Sequence, residues 1–246
     1  MFKLYLDPGH GGSDTGATGN GMQEKDIVLD IALMIRDMLE DEYVDVDVRM
    51  SRTTDTDVSL SERSSDANSW GADYFLSIHV NGADGTAQGY EDYIHDSLSD
   101  SSQTAQYRDI MHEEITRVND LDNRGKMKAN FHVLRETRMS ALLTENGFID
   151  NDEDAEKLRD PDWLRTVARG HVNGLERAFN LQRSDDANGG PDEDETIDNG
   201  NGALHRVIVD GTQEGAYRVR ENVLRAVDRH LGEADEIVIE RVDESS

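Results

Sequence analysis

The chain contains no cysteine. Disulfides, thiolate metal sites and a cysteine nucleophile are thereby excluded together, and any metal must be held by histidines and carboxylates. Lysine is nearly as scarce: 5 of the 25 basic residues are Lys and 20 are Arg, against 53 Asp and Glu. No basic stripe runs along the chain, so recognition of nucleic acid through phosphate contacts is not expected. No apolar run approaches the roughly 18 residues of a membrane-spanning helix, and membrane insertion is not expected either. The opening MFKLYLDPGHGG lacks the basic start and long apolar stretch of a Sec leader. The reading is of a chain made without one, acting after lysis or non-classical release.

What is present is acid. The net charge is −28. Residues 1–182 carry 36 acidic and 18 basic side chains and residues 183–246 carry 17 and 7, so the charge is not confined to a tail. Self-repulsion of this size destabilises a compact state in dilute buffer. At about 1 M salt the Debye length is roughly 3 Å and the repulsion is largely screened. Few Lys, many Asp and a folded pattern resemble the proteins of salt-in halophiles. The alternative is an ordinary acidic protein with a disordered linker.

Apolar periodicity orders the rest. Residues 2–7 read as a strand running into the Gly-rich turn DPGHGG, and 23–42 carry a helical stripe from Ile27 to Leu39. Val44–Met50 alternates Val and Asp as a half-buried strand, and Ser59 with Glu62 forms a capping box for a helix to Trp70. Strands are expected at 73–79, 89–95, 131–135 and 139–145, with a helix over 102–119 and one or two more to Phe179. No long insertion is apparent in the interval from 79 to 145, which predicts an open groove. The expected fold is α/β, a mixed, mostly parallel sheet with helices on both faces. Residues 1–182 form this domain. Residues 183–202 (RSDDANGGPDEDETIDNGNG) have linker composition. Residues 203–246 read as a small β-α-β segment: strands at 205–209 and 236–242 around a helix over 214–231.

Three residues stand where chemistry could occur. His10 lies in the loop after the first strand, Glu24 at a helix start, and His79 at the end of a buried strand. Loops at the carboxyl ends of α/β strands line the binding crevice. Two imidazoles and one carboxylate make a catalytic zinc set with a position left for water. With 8 histidines in the chain, spacing alone is weak evidence and favours the structural reading, a turn histidine and a satisfied strand-end histidine. Glu145, closing the run ALLTEN, is placed to act as a general base or simply to bond the backbone.

The blocks LDPGHGGSDTGATGNGMQEKD, SRTTD…VSLSERSSDANSWGADYFLSIHVN and ANFHVLRET…ALLTENGFIDN resemble the third family of N-acetylmuramoyl-L-alanine amidases. Within it, the chain is most similar to the amidases of spore-formers that lack a secretion signal and lyse the mother cell. The resemblance runs from about residue 2 to 181. It implies one zinc per chain on His10, Glu24 and His79, with Glu145 catalytic. The implied reaction is hydrolysis of the amide between the lactyl group of N-acetylmuramic acid and L-alanine in peptidoglycan. Asn81, His132 and Asn146 are candidates for substrate or supporting contacts, and Arg52 and Arg63 for ties between the Ser59 helix and its neighbours. The segment 203–242 resembles half of a sporulation-related wall-binding repeat, but is short, single and acidic. Wall binding or self-association is its expected role. Rival readings keep the chemistry and change the setting: a non-murein envelope polymer in a halophile, or a phage lysin. A non-catalytic wall-binding module is the reading from another class.

Overall fold

Strands whose alternate residues face two different cores organise the computed structural model, which describes residues 1–184 and the strand segments 204–209, 212–217 and 237–242. The chain divides into two units, Met1–Asn188 and Gly189–Ser246.

In the first unit β1 (Phe2–Pro8) leads through a two-residue hairpin, β2 (Thr18–Gly19) and β3 (Met22–Gln23), into α1 (Glu24–Glu42). After β4 (Tyr43–Val44) come β5 (Val46–Met50), α2 (Leu60–Trp70), β6 (Tyr74–Asn81) and β7 (Tyr90–His95). Then follow α3 (Gln103–Val118), β8 (Asn123–Ala129), α4 (His132–Arg135) and β9 (Ser140–Phe148). The unit closes with α5 (Asp152–Leu158), α6 (Pro161–Phe179) and β10 (Gln182–Arg183), which pairs with β4. The six-stranded central sheet has the order β5-β1-β6-β9-β7-β8. The first four strands run parallel; β7 is antiparallel to β9, and β8 is parallel to β7.

Leu4, Leu6, Tyr74, Leu76, Ile78 and Leu142 face one core with α1, α3 and α6. The intervening Tyr5, Phe75, Ala141 and Leu143 face a second, smaller core under α2 and α4. Alternation along buried strands thus produces the three-layer arrangement that the sequence predicts. At α2 the Ser59 side chain accepts from the Glu62 amide while Glu62 Oε2 accepts from the Ser59 amide at 2.8 Å, so the capping box forms. Ser59→Ala is expected to cost about 1 kcal/mol in denaturant unfolding. An unchanged midpoint would show that the box contributes nothing.

The structure corrects three expectations. Residues 131–135 are not a strand. Leu134 and Arg135 N–H donate to Phe131 C=O and Glu136 N–H to His132 C=O, closing a helical turn despite the β-favouring FHVL. The edge beside β7 is instead taken by β8, whose NRGKMKA shows little apolar character because its side chains are largely exposed. The interval from 79 to 145 therefore holds two strands, a helix and a turn, and α3 packs on α6, away from the α2 face. In the second unit β11 (Leu204–Val209) pairs antiparallel with β12 (Thr212–Tyr217) and with β13 (Ile237–Val242). Residues 214–217, read as a helix start, belong to a hairpin strand, and Arg183, read as the first linker residue, ends β10; the remainder of that helix and linker residues 185–202 lie outside the described residues.

Candidate active site

The site forms where β1, β6 and β9 end, on the α2 side of the sheet. His10 follows β1 in the left-handed region, with φ 59°. His79 lies near the end of β6, and Glu24 is the first residue of α1. One nitrogen or oxygen from each of the three lies within 4.8 Å of the others. His10 Nε2 is 3.2 Å from Glu24 Oε2, and His79 Nδ1 is 2.9 Å from Glu24 Oε1. Among the described residues this is the one cluster of three or more potential metal-ligating His and carboxylate groups.

The backbone is shaped for this convergence. A Cβ on Gly9 would sit 2.3 Å from the His79 ring, and one on Gly16 would sit 2.5 Å from Glu24 Oε2. Only glycine lets the loop approach both ligands. Glu24 is buried and accepts from the amides of Ala17 at 2.7 Å and Val80 at 3.0 Å, while His10 Nδ1 meets Asp14 Oδ2 at 2.9 Å. Such partners orient ligands. Burial opposes the charge of Glu24, but hydrogen bonds from His10 and His79 outweigh it and hold the carboxyl well below the usual range. Burial likewise disfavours the His10 imidazolium; Glu24 and Asp14 outweigh it and raise the pKa.

Two buried arginines fasten the loop. Arg63 Nη1 pairs with the buried Asp7 at 2.6 Å and donates to Pro8 C=O at 2.8 Å, while Nη2 donates to His10 C=O at 2.6 Å. Arg52 donates to Pro8 C=O at 3.1 Å, Gly9 C=O at 2.7 Å and Lys25 C=O at 2.7 Å. Both are ties, and what they tie is the loop that carries His10. Asp7 was not singled out by sequence reasoning. The signal was an acid inside an apolar strand, which requires a buried partner.

Glu145 on β9 is the register partner of His79 on β6 and of Glu91 on β7. Its Oε2 is enclosed and has no hydrogen-bond partner. Burial, reinforced by the charges of Glu24 and Glu91, pushes its pKa well above the ordinary carboxylate value. Glu91 differs in being fully engaged, by Arg124 at 2.8 Å, Asn81 at 2.9 Å and Tyr93 at 2.7 Å.

A cleft of about 750 Å³ opens over His10, His79 and Glu145. His132 lines it, with Nε2 3.3 Å from Ser64 Oγ. Asn81 and Asn146 do not. Asn81 supports Glu91, and the buried Asn146 donates to His79 C=O at 3.1 Å and Thr144 Oγ1 at 3.1 Å. Of the other described histidines, His112 pairs with the buried Asp92 at 2.7 Å and His95 Nδ1 meets Ser97 at 2.6 Å. His171 meets Thr144 at 3.1 Å in full burial, which lowers its pKa to about 4. His205 and His230 offer no described side chain.

A doubly covered sheet with a His/Glu/His set and a shielded carboxylate at its carboxyl edge defines a hydrolase catalytic domain. The resemblance to known proteins narrows the class. The chain belongs to the N-acetylmuramoyl-L-alanine amidase family, whose model matches residues 4–177. It is 59% identical over 184 residues to the N-acetylmuramoyl-L-alanine amidase CwlM of Bacillus licheniformis, covering 75% of this chain and 71% of that protein. It is 53% identical to the sporulation-specific N-acetylmuramoyl-L-alanine amidase of Bacillus subtilis, with the same coverage. The solved catalytic domain of the amidase CwlV from Bacillus (Paenibacillus) polymyxa superposes with a TM-score of 0.70 at 31% identity. That match covers 74% of this chain and all of that one. The protein is accordingly a peptidoglycan amidase, and no described helix is long and apolar enough to cross a membrane.

Proposed function

We propose that the protein is a zinc hydrolase that cuts the amide between the lactyl carbonyl of N-acetylmuramic acid and L-alanine, with Glu145 as general base and acid. The observation that carries this reading is the convergence of His10, Glu24 and His79 beside a carboxylate oxygen, Glu145 Oε2, that has no partner. The donor set fits the metal: two imidazoles and one carboxylate, with His10 supported by Asp14 and Glu24 by two backbone amides, are a catalytic zinc set with a position left open. Bound zinc supplies Lewis acidity, polarising an amide carbonyl and acidifying water.

The chain's own groups do the rest. Glu145 Oε2 takes a proton from the attacking water as the new C–O bond forms. It returns the proton to the alanine nitrogen as the C–N bond breaks, leaving a lactyl carboxylate and a free α-amine. Arg52 and Arg63 keep the His10 loop in place, and His132 borders the path of the substrate.

The test is release of soluble peptides from purified peptidoglycan, with and without chelator, at salt from about 0.1 to 3 M. Peptides beginning with free L-alanine, lost by at least about 10²-fold on chelation and restored by zinc, are the expected result. Release should rise with salt, since a net charge of −28 is screened there. Cleavage that survives complete metal removal would sink the zinc reading.

A further inference from the structure

Among the described residues four large apolar side chains are exposed: Met1, Val44, Leu60 and Phe131. Two of them, Leu60 and Phe131, line the catalytic cleft, with Val58, Val133 and Leu143 also in its lining. They come from different elements: Leu60 is the first residue of α2, and Phe131 is the N-cap of α4. At 54% and 39% exposure both keep apolar surface in water, in the lining of the same cleft as His79 and Glu145.

Their supports are rigid. Leu60 stands on a helix start held by the Ser59–Glu62 capping box. Phe131 packs on Tyr93, with ring centroids 5.1 Å apart. The α2 and α4 segments are joined by Ser64 and His132 at 3.3 Å and by two bonds through Asn68. Asn68 Nδ2 donates to Glu136 C=O at 2.7 Å, and Asn68 Oδ1 accepts from the Arg138 amide at 2.8 Å. The segments that carry both side chains are thus fixed relative to one another, which favours a preformed apolar lining.

The substrate has matching chemistry. The amide that an N-acetylmuramoyl-L-alanine amidase cuts has a methyl-bearing carbon on each side, the lactyl carbon and the alanyl α-carbon. We infer that Leu60 and Phe131 are specificity-determining residues that receive these methyl groups, so that the cleft reads the apolar surface flanking the scissile bond. The inference rests on the amidase reading of the cleft and adds the residues by which it selects its substrate.

The test uses soluble N-acetylmuramoyl peptides in three forms: the natural lactyl-L-alanyl compound, one with glycine for L-alanine, and one with a glycolyl group for the lactyl group. A missing methyl in an apolar subsite changes kcat/KM by roughly 10- to 200-fold. The unaltered protein should therefore prefer the natural compound by about 10-fold or more over at least one of the others. Leu60→Ser and Phe131→Ser should erase much of that preference, by slowing the natural compound while leaving the methyl-less one nearly unchanged. Leu60→Met should retain it. Val44→Ser, at an exposed apolar position outside the cleft, should not alter it. Both test positions are exposed, so folding is checked simply by an unchanged unfolding midpoint. Equal losses on all three compounds, or no loss, would overturn the inference alone. Failure of the unaltered protein to cut the natural compound would remove the amidase reading and this inference with it.

Discussion

Glu145→Gln is expected to lower kcat by roughly 10²- to 10⁴-fold while leaving one zinc per chain and the fold intact. The amide keeps the size of the carboxyl but cannot shuttle a proton. The same substitution should stabilise the metal-free protein at neutral pH. Glu145 is desolvated and faces the charges of Glu24 and Glu91, so its folded pKa lies above the ordinary 4.5. As pH rises past 4.5 the unfolded chain releases this proton and the folded chain retains it. The stability the protonated group contributes is therefore complete below 4.5 and is lost as pH rises through the folded pKa. Chelated Glu145→Gln protein should show no such loss, and its unfolding midpoint at pH 7 should exceed that of the unaltered chain. A variant that hydrolyses peptidoglycan at the original rate would remove Glu145 from the mechanism. One that is inactive but also less stable at pH 7 would contradict the stabilisation expected from replacing a carboxyl whose Oε2 is enclosed and unpartnered.

The second large effect is structural. Arg63→Met should destabilise the fold by about 3–5 kcal/mol, the usual consequence of stripping one partner from a buried ion pair. Asp7 is 1% exposed and would retain only Ser77, whose Oγ donates at 2.8 Å, to offset a buried charge. The carbonyls of Val58 and His10 would lose the Arg63 donor as well, while Pro8 C=O would keep Arg52. Removing the charge on both sides, in Arg63→Met/Asp7→Asn, should recover part of that loss, giving a non-additive cycle in denaturant unfolding. Because Arg63 holds the backbone of His10, the single variant should also bind zinc more weakly than the unaltered chain. Simple additivity of the two changes would mean that the pair is not the unit that holds the loop.

Salt bears on both measurements. The buried Arg63–Asp7 pair is shielded from ions, whereas the repulsion among surface carboxylates is not. Added salt should therefore raise the stability of the unaltered and variant proteins alike and leave the difference between them nearly constant.

The sequence by itself determined the elements whose pattern is local and strongly apolar. Strands β1, β6 and β9, helix α1 and the Ser59–Glu62 box are legible because burial on two faces and end-capping leave periodic marks in consecutive residues. Strand-end placement made His10, His79 and Glu145 candidates, and only the resemblance of three sequence blocks to an amidase family joined them with Glu24 into one site. Tertiary structure decided what depends on distant partners. Strand β8 carries almost no apolar signal because an edge strand is held by its ladder to β7 and exposes its side chains. Residues 131–135 carry the β-favouring FHVL yet close a helical turn, while β8 pairs with β7 at that edge. The role of Asp7 depends on Arg63, 56 residues away, and that of Asn81 on Glu91, which stands on a strand separated from its own by β9. That Leu60 and Phe131 border one cleft follows from the packing of α2 against α4, which no periodicity within either segment encodes.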